Sequence, residues 1–201
     1  MEKYQAASGR AYGAGLVPLL EHGDNLVIES EAVSKYKSQH IEGGSGRGGD
    51  MYPTNNEADE ELIMSFMDSW SHVTDTYYSV LTATSEKEVK KRKTSFIQSL
   101  GIINNLLKQK NDGVFLLGST FSYAECISAP WIQRFYTTLP YFRGIDFEED
   151  VLKSFDVLPL WMGAVCDRPS CVASKCPEEE MIAACKRYYV TFVSPGANGS
   201  L

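Results

Sequence analysis

Residues able to hold a small zwitterion lie close together near the start of this chain. Pro18 follows Val17, and the acid–hydroxyl pair Glu29 and Ser30 comes soon afterwards. Proline is the one residue that makes a cis bond inexpensive, and a bend there frees the Val17 amide and carbonyl to pair with an extended peptide. Ser30 at a helix start offers donors to a carboxylate, and Glu29 can hold an ammonium. These residues predict a site for a small zwitterionic peptide.

A β-hairpin followed by a helix must position these residues. Apolar runs predict strands over Leu16–Glu21 and Leu26–Glu29, and His22–Asn25 has the Gly and Asx residues of a turn. Ser30 then predicts a helix cap, with the helix running toward Ile41. Since Pro18 cannot donate a ladder hydrogen bond, it belongs at the start of the first strand.

The remainder of the chain reads as a helical domain. Residues 42–56 form a glycine-dense linker, and residues 57–193 show apolar side chains at spacings of three and four, which is typical of packed amphipathic helices. Capping signals occur at Thr54, Ser85 and Ser122. Residues 194–201 are rich in Gly, Ser and Asn and predict a disordered tail.

Several motifs, in this order, resemble the glutathione S-transferase family in the style of its omega and lambda branches. They are Val17-Pro18 with Glu29-Ser30, Tyr52-Pro53, the segment Phe115–Glu125, and Trp161-Met162 followed by Arg168-Pro169-Ser170. The resemblance implies an α/β thioredoxin-like domain joined to an all-α helical-bundle C-terminal domain.

The resemblance also implies a function. Glutathione would be the co-substrate, bound by Val17, Pro18, Glu29 and Ser30, and would be transferred to a small electrophile or used to reduce a disulfide. Tyr77 and Tyr78 would lie on the helix that lines the hydrophobic substrate pocket. A detoxifying enzyme in the cytoplasm, with a homodimer as one arrangement, is the corresponding expectation.

The N-terminal glutathione-binding domain, residues 1–41, is expected to be partial. Sixteen residues precede Val17, whereas a βαβ unit needs about 30 residues. The residue that activates the glutathione thiol in the family is therefore expected to be missing, and no catalytic residue is assigned. The alternative is a non-catalytic glutathione-binding or scaffold protein.

The composition of the chain restricts its partners, its compartment and its metal binding. The net charge of −7 disfavours nucleic acids and anionic membranes as partners. No apolar run approaches the ~20 residues of a membrane span, and the first residues lack the apolar core of a signal peptide. The five cysteines match no zinc-binding spacing, so no metal is predicted. Reduced cytosolic thiols are the main interpretation; redox chemistry among Cys166, Cys171 and Cys176 is the alternative.

Overall fold

The computed structural model describes residues 18–41, 51–52, 56–109 and 112–189. The chain divides into two compact units, residues 1–60 and 61–201. Val17, most of the predicted linker and the predicted tail over 194–201 lie outside the described residues.

The N-terminal unit contains the predicted hairpin and helix. Strand β1 (Leu19–His22) pairs antiparallel with β2 (Asn25–Ile28), and helix α1 (Ser30–His40) follows. The turn is Gly23-Asp24 alone, because His22 and Asn25 already pair across the ladder. Gly23 has φ 59°, and the first position of a two-residue hairpin turn requires a positive φ. Strand β1 starts later than predicted, directly after Pro18, which has no amide to donate.

The predicted cap of α1 is wrong by one residue. Ser30 is the first helical residue, and Glu29 occupies the N-cap position. The Glu29 carbonyl accepts the first helical bond from the Val33 amide at 2.9 Å. No side-chain cap hydrogen bond forms there. The Ser30 hydroxyl therefore does not do the capping that the sequence predicted.

The second unit is built from helices. In chain order they are α2 (Glu57–Leu81), α3 (Glu86–Leu107), α4 (Tyr123–Arg143), α5 (Phe147–Asp150), α6 (Leu158–Asp167), α7 (Pro169–Ala173) and α8 (Glu178–Tyr189), with a 3-10 turn at Leu152–Ser154 between α5 and α6. A buried aromatic cluster joins α2, α4 and α6. Trp70 lies with its ring centroid 5.5 Å from Phe66, 6.0 Å from Phe135 and 5.8 Å from Trp161.

Side chains cap the long helices. Ser122 and Glu125 form the predicted capping box of α4. Ser85 caps α3 as predicted, accepting from the Glu88 amide at 3.3 Å. Helix α2 begins after Asn56, whose side-chain oxygen accepts from the Asp59 amide at 3.3 Å. The predicted cap at Thr54 lies outside the described residues.

Candidate functional site

The hairpin register brings the predicted peptide-binding residues to one end of the N-terminal unit. Leu19 pairs with Ile28, so the next position along each strand sets Pro18 opposite Glu29. Ser30 follows at the start of α1. Pro18, Glu29 and Ser30 are all exposed. Val17, the fourth predicted residue, lies outside the described residues.

Glu29 has an unusual backbone. Its φ is 72° and its ψ is 132°, and it is the one non-glycine residue with positive φ in the described part of the chain. Residues other than glycine rarely adopt this backbone conformation, which costs about 1–3 kcal/mol and is most frequent at ligand-binding and catalytic positions. The conformation turns the chain from β2 directly into α1.

Charge and hydrogen-bond donors are available at this end of the hairpin. Across the described part of the chain, no side-chain hydrogen bond or ion pair engages the Glu29 carboxylate. Because α1 has no side-chain cap, its first turn presents the partial positive charge of a helix N-terminus. An ammonium beside Glu29 and a carboxylate beside Ser30 would both be stabilised by this arrangement.

Tyr77 and Tyr78 line a cavity inside the helical unit. The cavity has a volume of 280 Å³ and lies between α2, α4 and α8. Its lining residues are Tyr77, Tyr78, Pro130, Gln133, Arg134, Ser174, Cys176, Met181, Ala184 and Cys185. Such a volume is close to the lower end of the ~300–1,000 Å³ of small-molecule pockets.

Tyr77 is a rigid part of the cavity wall. Its side chain is 1% exposed, and its hydroxyl is 2.7 Å from the Thr138 hydroxyl. Burial raises the pKa of Tyr77 above its ordinary value. The phenol is therefore neutral near pH 7 and serves as wall rather than as an acid or base. Tyr78 lies beside it, with ring centroids 5.2 Å apart.

Arg134 is a cavity residue that the sequence analysis missed. Its guanidinium lies 4.7 Å from the ring centroid of Trp131, which itself packs edge-on against Tyr78 at 5.6 Å. A signal was present in the sequence, since Arg134 is a single cation one helical turn after an aromatic residue, in a largely apolar segment. Only the tertiary structure shows that this segment lines a cavity.

Four of the five cysteines are partly or fully buried thiols with raised pKa values. All five are free. Burial raises the pKa of the Cys126 thiol to about 11, and it also raises the pKa of Cys166, Cys171 and Cys185. A raised pKa reduces the thiolate, which is the reactive form. These four thiols are therefore poorly suited to the alternative redox interpretation.

The segment Phe115–Glu125 has a structural role. Glu125 is fully buried and accepts from the Leu116 amide at 2.8 Å, the Trp161 indole at 2.9 Å and both the amide and hydroxyl of Ser122 at 2.8 and 2.7 Å. Arg168 stacks over Phe121 at 3.8 Å. The two C-terminal motifs of the sequence thus meet in the folded unit and stabilise it.

Two classes of site receive no support in the described part of the chain. No group of three or more His, Cys, Asp or Glu side chains there is placed to hold a metal ion. No helix there is both long enough and apolar enough to cross a bilayer.

The chain is similar to known proteins both in sequence and in structure. Residues 86–164 match the family described as glutathione S-transferase, C-terminal domain. Glutathione S-transferase L3 of Arabidopsis thaliana is 24% identical over 181 residues, which are 90% of this chain and 69% of that protein. Glutathione transferase Omega 3C from Trametes versicolor superposes with a TM-score of 0.66 at 19% identity, over 88% of this chain and 72% of that chain. Glutathione S-transferase III in apo form gives a TM-score of 0.59 at 18% identity, over 81% and 75%.

A small N-terminal sheet followed by a mostly helical unit is the thioredoxin-like plus helical arrangement of the glutathione transferase fold. The chain is thus similar to glutathione S-transferases in sequence and in fold, as the sequence predicted, and residues 86–164 match the C-terminal domain of that family.

Proposed function

We propose that this protein binds glutathione at the end of the N-terminal hairpin and either transfers it to a small electrophile or uses it to reduce a disulfide. The observation that carries the proposal is the register that sets Pro18 opposite Glu29, with Ser30 starting α1. Backbone pairing at Val17, an ammonium at Glu29 and a carboxylate at Ser30 would together hold the γ-glutamyl tripeptide.

The chemistry assigned to these residues is binding and orientation. In conjugation, the glutathione thiolate forms a bond to an electrophilic carbon, and the leaving group departs with the bonding electrons. In reduction, the thiolate attacks one sulfur of a disulfide, and the other sulfur leaves as a thiol after taking up a proton. No described residue is assigned the task of ionising the thiol.

We propose the cavity bounded by Tyr77 and Tyr78 as the site for the second substrate. Its walls combine two aromatic rings with Pro130 and Met181, and this composition favours an apolar molecule. A cytoplasmic homodimer is the corresponding proposal for the assembly. Light scattering of the purified protein measures whether it is a dimer.

Calorimetry with glutathione tests the binding site. Ser30→Ala is expected to weaken glutathione affinity about tenfold, because a hydrogen bond to a charged group is lost. Ser34→Ala, one turn later on α1, is the matched control and should leave the affinity unchanged. Equal affinities of the wild type and Ser30→Ala would refute the assignment.

Activity assays separate the two reactions from the non-catalytic alternative. Glutathione conjugation to an aryl halide would support the transferase, and reduction of dehydroascorbate or a small disulfide would support the reductase. Glutathione binding with neither activity would favour the alternative of a glutathione-binding or scaffold protein.

A further inference from the structure

The charge of the cavity in the helical unit differs from that of the chain as a whole. The chain carries a net charge of −7, yet among the described residues that line the cavity Arg134 alone is formally charged. The thiol of Cys185 and the phenol of Tyr77 are neutral near pH 7, because burial raises both pKa values. The cavity is therefore an apolar space with a single positive charge in its wall.

Arg134 is half-buried, and no residue in the described part of the chain serves as its anionic partner. Its one contact of note is with the face of Trp131, 4.7 Å from the guanidinium. Within the ranges that the structure describes, no carboxylate lies at ion-pair distance from it, and its guanidinium donates no hydrogen bond. A guanidinium presents five donors in a fixed planar arrangement that matches a carboxylate.

Two other half-buried arginines, Arg92 and Arg143, do have hydrogen-bond partners. Arg92 donates to the Ser79 carbonyl at 2.8 Å and pairs with Glu88. Arg143 donates to the carbonyl of Leu81. Each of these guanidiniums has a structural partner that compensates for its partial loss of water, whereas the described residues offer Arg134 only the aromatic face of Trp131.

We propose that this cavity binds an apolar or aromatic molecule carrying a carboxylate, and that the guanidinium of Arg134 anchors the anion. Tyr77, Tyr78, Pro130 and Met181 enclose the apolar part. A neutral ligand of the same shape would leave the guanidinium without its hydrogen bonds, and a cationic ligand would be repelled by it. This inference rests on the proposed function in one respect, since it names the chemical class of the second substrate for the same cavity.

A pair of probes of the same shape tests the proposal. Naphthylacetate carries a carboxylate on a bicyclic ring, and naphthylacetamide replaces that carboxylate by a neutral amide. Binding of each is measured by calorimetry on the full chain without glutathione. The wild type is expected to bind the carboxylate about 10-fold to 100-fold more tightly than the amide, since hydrogen bonds between charged groups are the stronger class.

Arg134→Gln should remove that preference, because it should weaken binding of the carboxylate probe and leave binding of the amide probe nearly unchanged. Arg134→Lys keeps the charge without the planar pair of donors and should give an intermediate loss. Arg168→Gln is the matched control, because Arg168 is also half-buried and stacked on an aromatic ring, over Phe121 at 3.8 Å, but does not line the cavity. Its preference should equal that of the wild type. Thermal unfolding midpoints of all variants verify that they are folded.

Equal binding of the two probes by the wild type would overturn the proposal. The same applies if neither probe binds, or if Arg134→Gln retains the full preference for the carboxylate. These outcomes are separable from failure of the proposed function, because the probe measurement contains no glutathione. Loss of glutathione binding with an intact carboxylate preference would refute the proposed function alone.

Discussion

Replacing Glu29 by glycine is expected to stabilise the N-terminal unit while weakening its affinity for glutathione. The backbone at Glu29 has φ 72° and ψ 132°, a conformation that costs a side-chain-bearing residue about 1–3 kcal/mol. Glycine adopts it without that cost but loses more freedom on folding, worth roughly 0.5–1 kcal/mol. The net gain relative to alanine at the same position is therefore roughly 1 kcal/mol, with an upper limit of about 2.5 kcal/mol.

Glu29→Ala is the matched comparison, because both variants lose the carboxylate and differ only in the β-carbon. The Val33 amide reports the result directly, since it donates to the Glu29 carbonyl at 2.9 Å. Native-state hydrogen exchange at Val33 and across β1 and β2 should give higher opening free energies for Glu29→Gly than for Glu29→Ala. Equal or lower values for the glycine variant would refute the claim that the glutamate backbone is strained.

The loss of binding is separated from the gain in stability by Glu29→Gln. This variant keeps the β-carbon and the strained backbone and removes only the charge. Its affinity for glutathione should fall about tenfold or more, because the hydrogen bond from the ammonium loses its negatively charged acceptor. If Glu29→Gln binds glutathione as tightly as the wild type, the carboxylate does not hold the ammonium.

Three further predictions concern the helical unit. Glu125→Gln sets an amide donor against buried donors and should lower the urea-unfolding free energy by about 2–5 kcal/mol. Glu88→Gln, at a side chain that is 40% exposed, should change it far less. Burial raises the Cys126 pKa from 9.0 to about 11, so alkylation near pH 8, followed by mass spectrometry, should be about 100-fold slower in the folded than in the urea-unfolded chain. Hydrogen bonds from Lys108 and Asn104 lower the pKa of Asp156 from 3.8 to about 2. Its stabilisation is therefore present above pH 3.8 and lost as pH falls toward 2, and Asp156→Asn should flatten this part of the stability–pH curve.

Local signals predicted the helical unit well. Ser122 and Glu125 lie three residues apart, so their reciprocal hydrogen bonds depend only on a helix starting at that point. The apolar spacing likewise placed Phe66 and Trp70 on the buried face of α2. The additional partners of Glu125 were not predictable, because Trp161 reaches it from 36 residues away. That contact exists only once α4 and α6 have packed together.

In the N-terminal unit the hairpin could be predicted from the sequence, but the backbone conformation at Glu29 could not. The turn residues and Pro18 fixed the hairpin closely enough to bring Pro18 and Glu29 together. The positive φ of Glu29 had no sequence signal, because the usual markers of that conformation are glycine and asparagine. The Ser30 cap failed for the same reason, since the sharp turn at Glu29 takes the N-cap position and leaves Ser30 helical.

Hydrogen-bond partners distinguish Arg134 from the other half-buried arginines. Four arginines in the described part of the chain are half-buried, namely Arg92, Arg134, Arg143 and Arg168. Arg92 and Arg143 donate to carbonyls in the last turn of α2, and Arg168 donates to the Ser170 hydroxyl at 3.2 Å. Taking a guanidinium partly out of water costs free energy that these bonds offset. For Arg134 the aromatic contact offsets only part of that cost, and a carboxylate entering the cavity would supply the remainder. The carboxylate preference therefore tests whether a ligand completes this side chain's contacts.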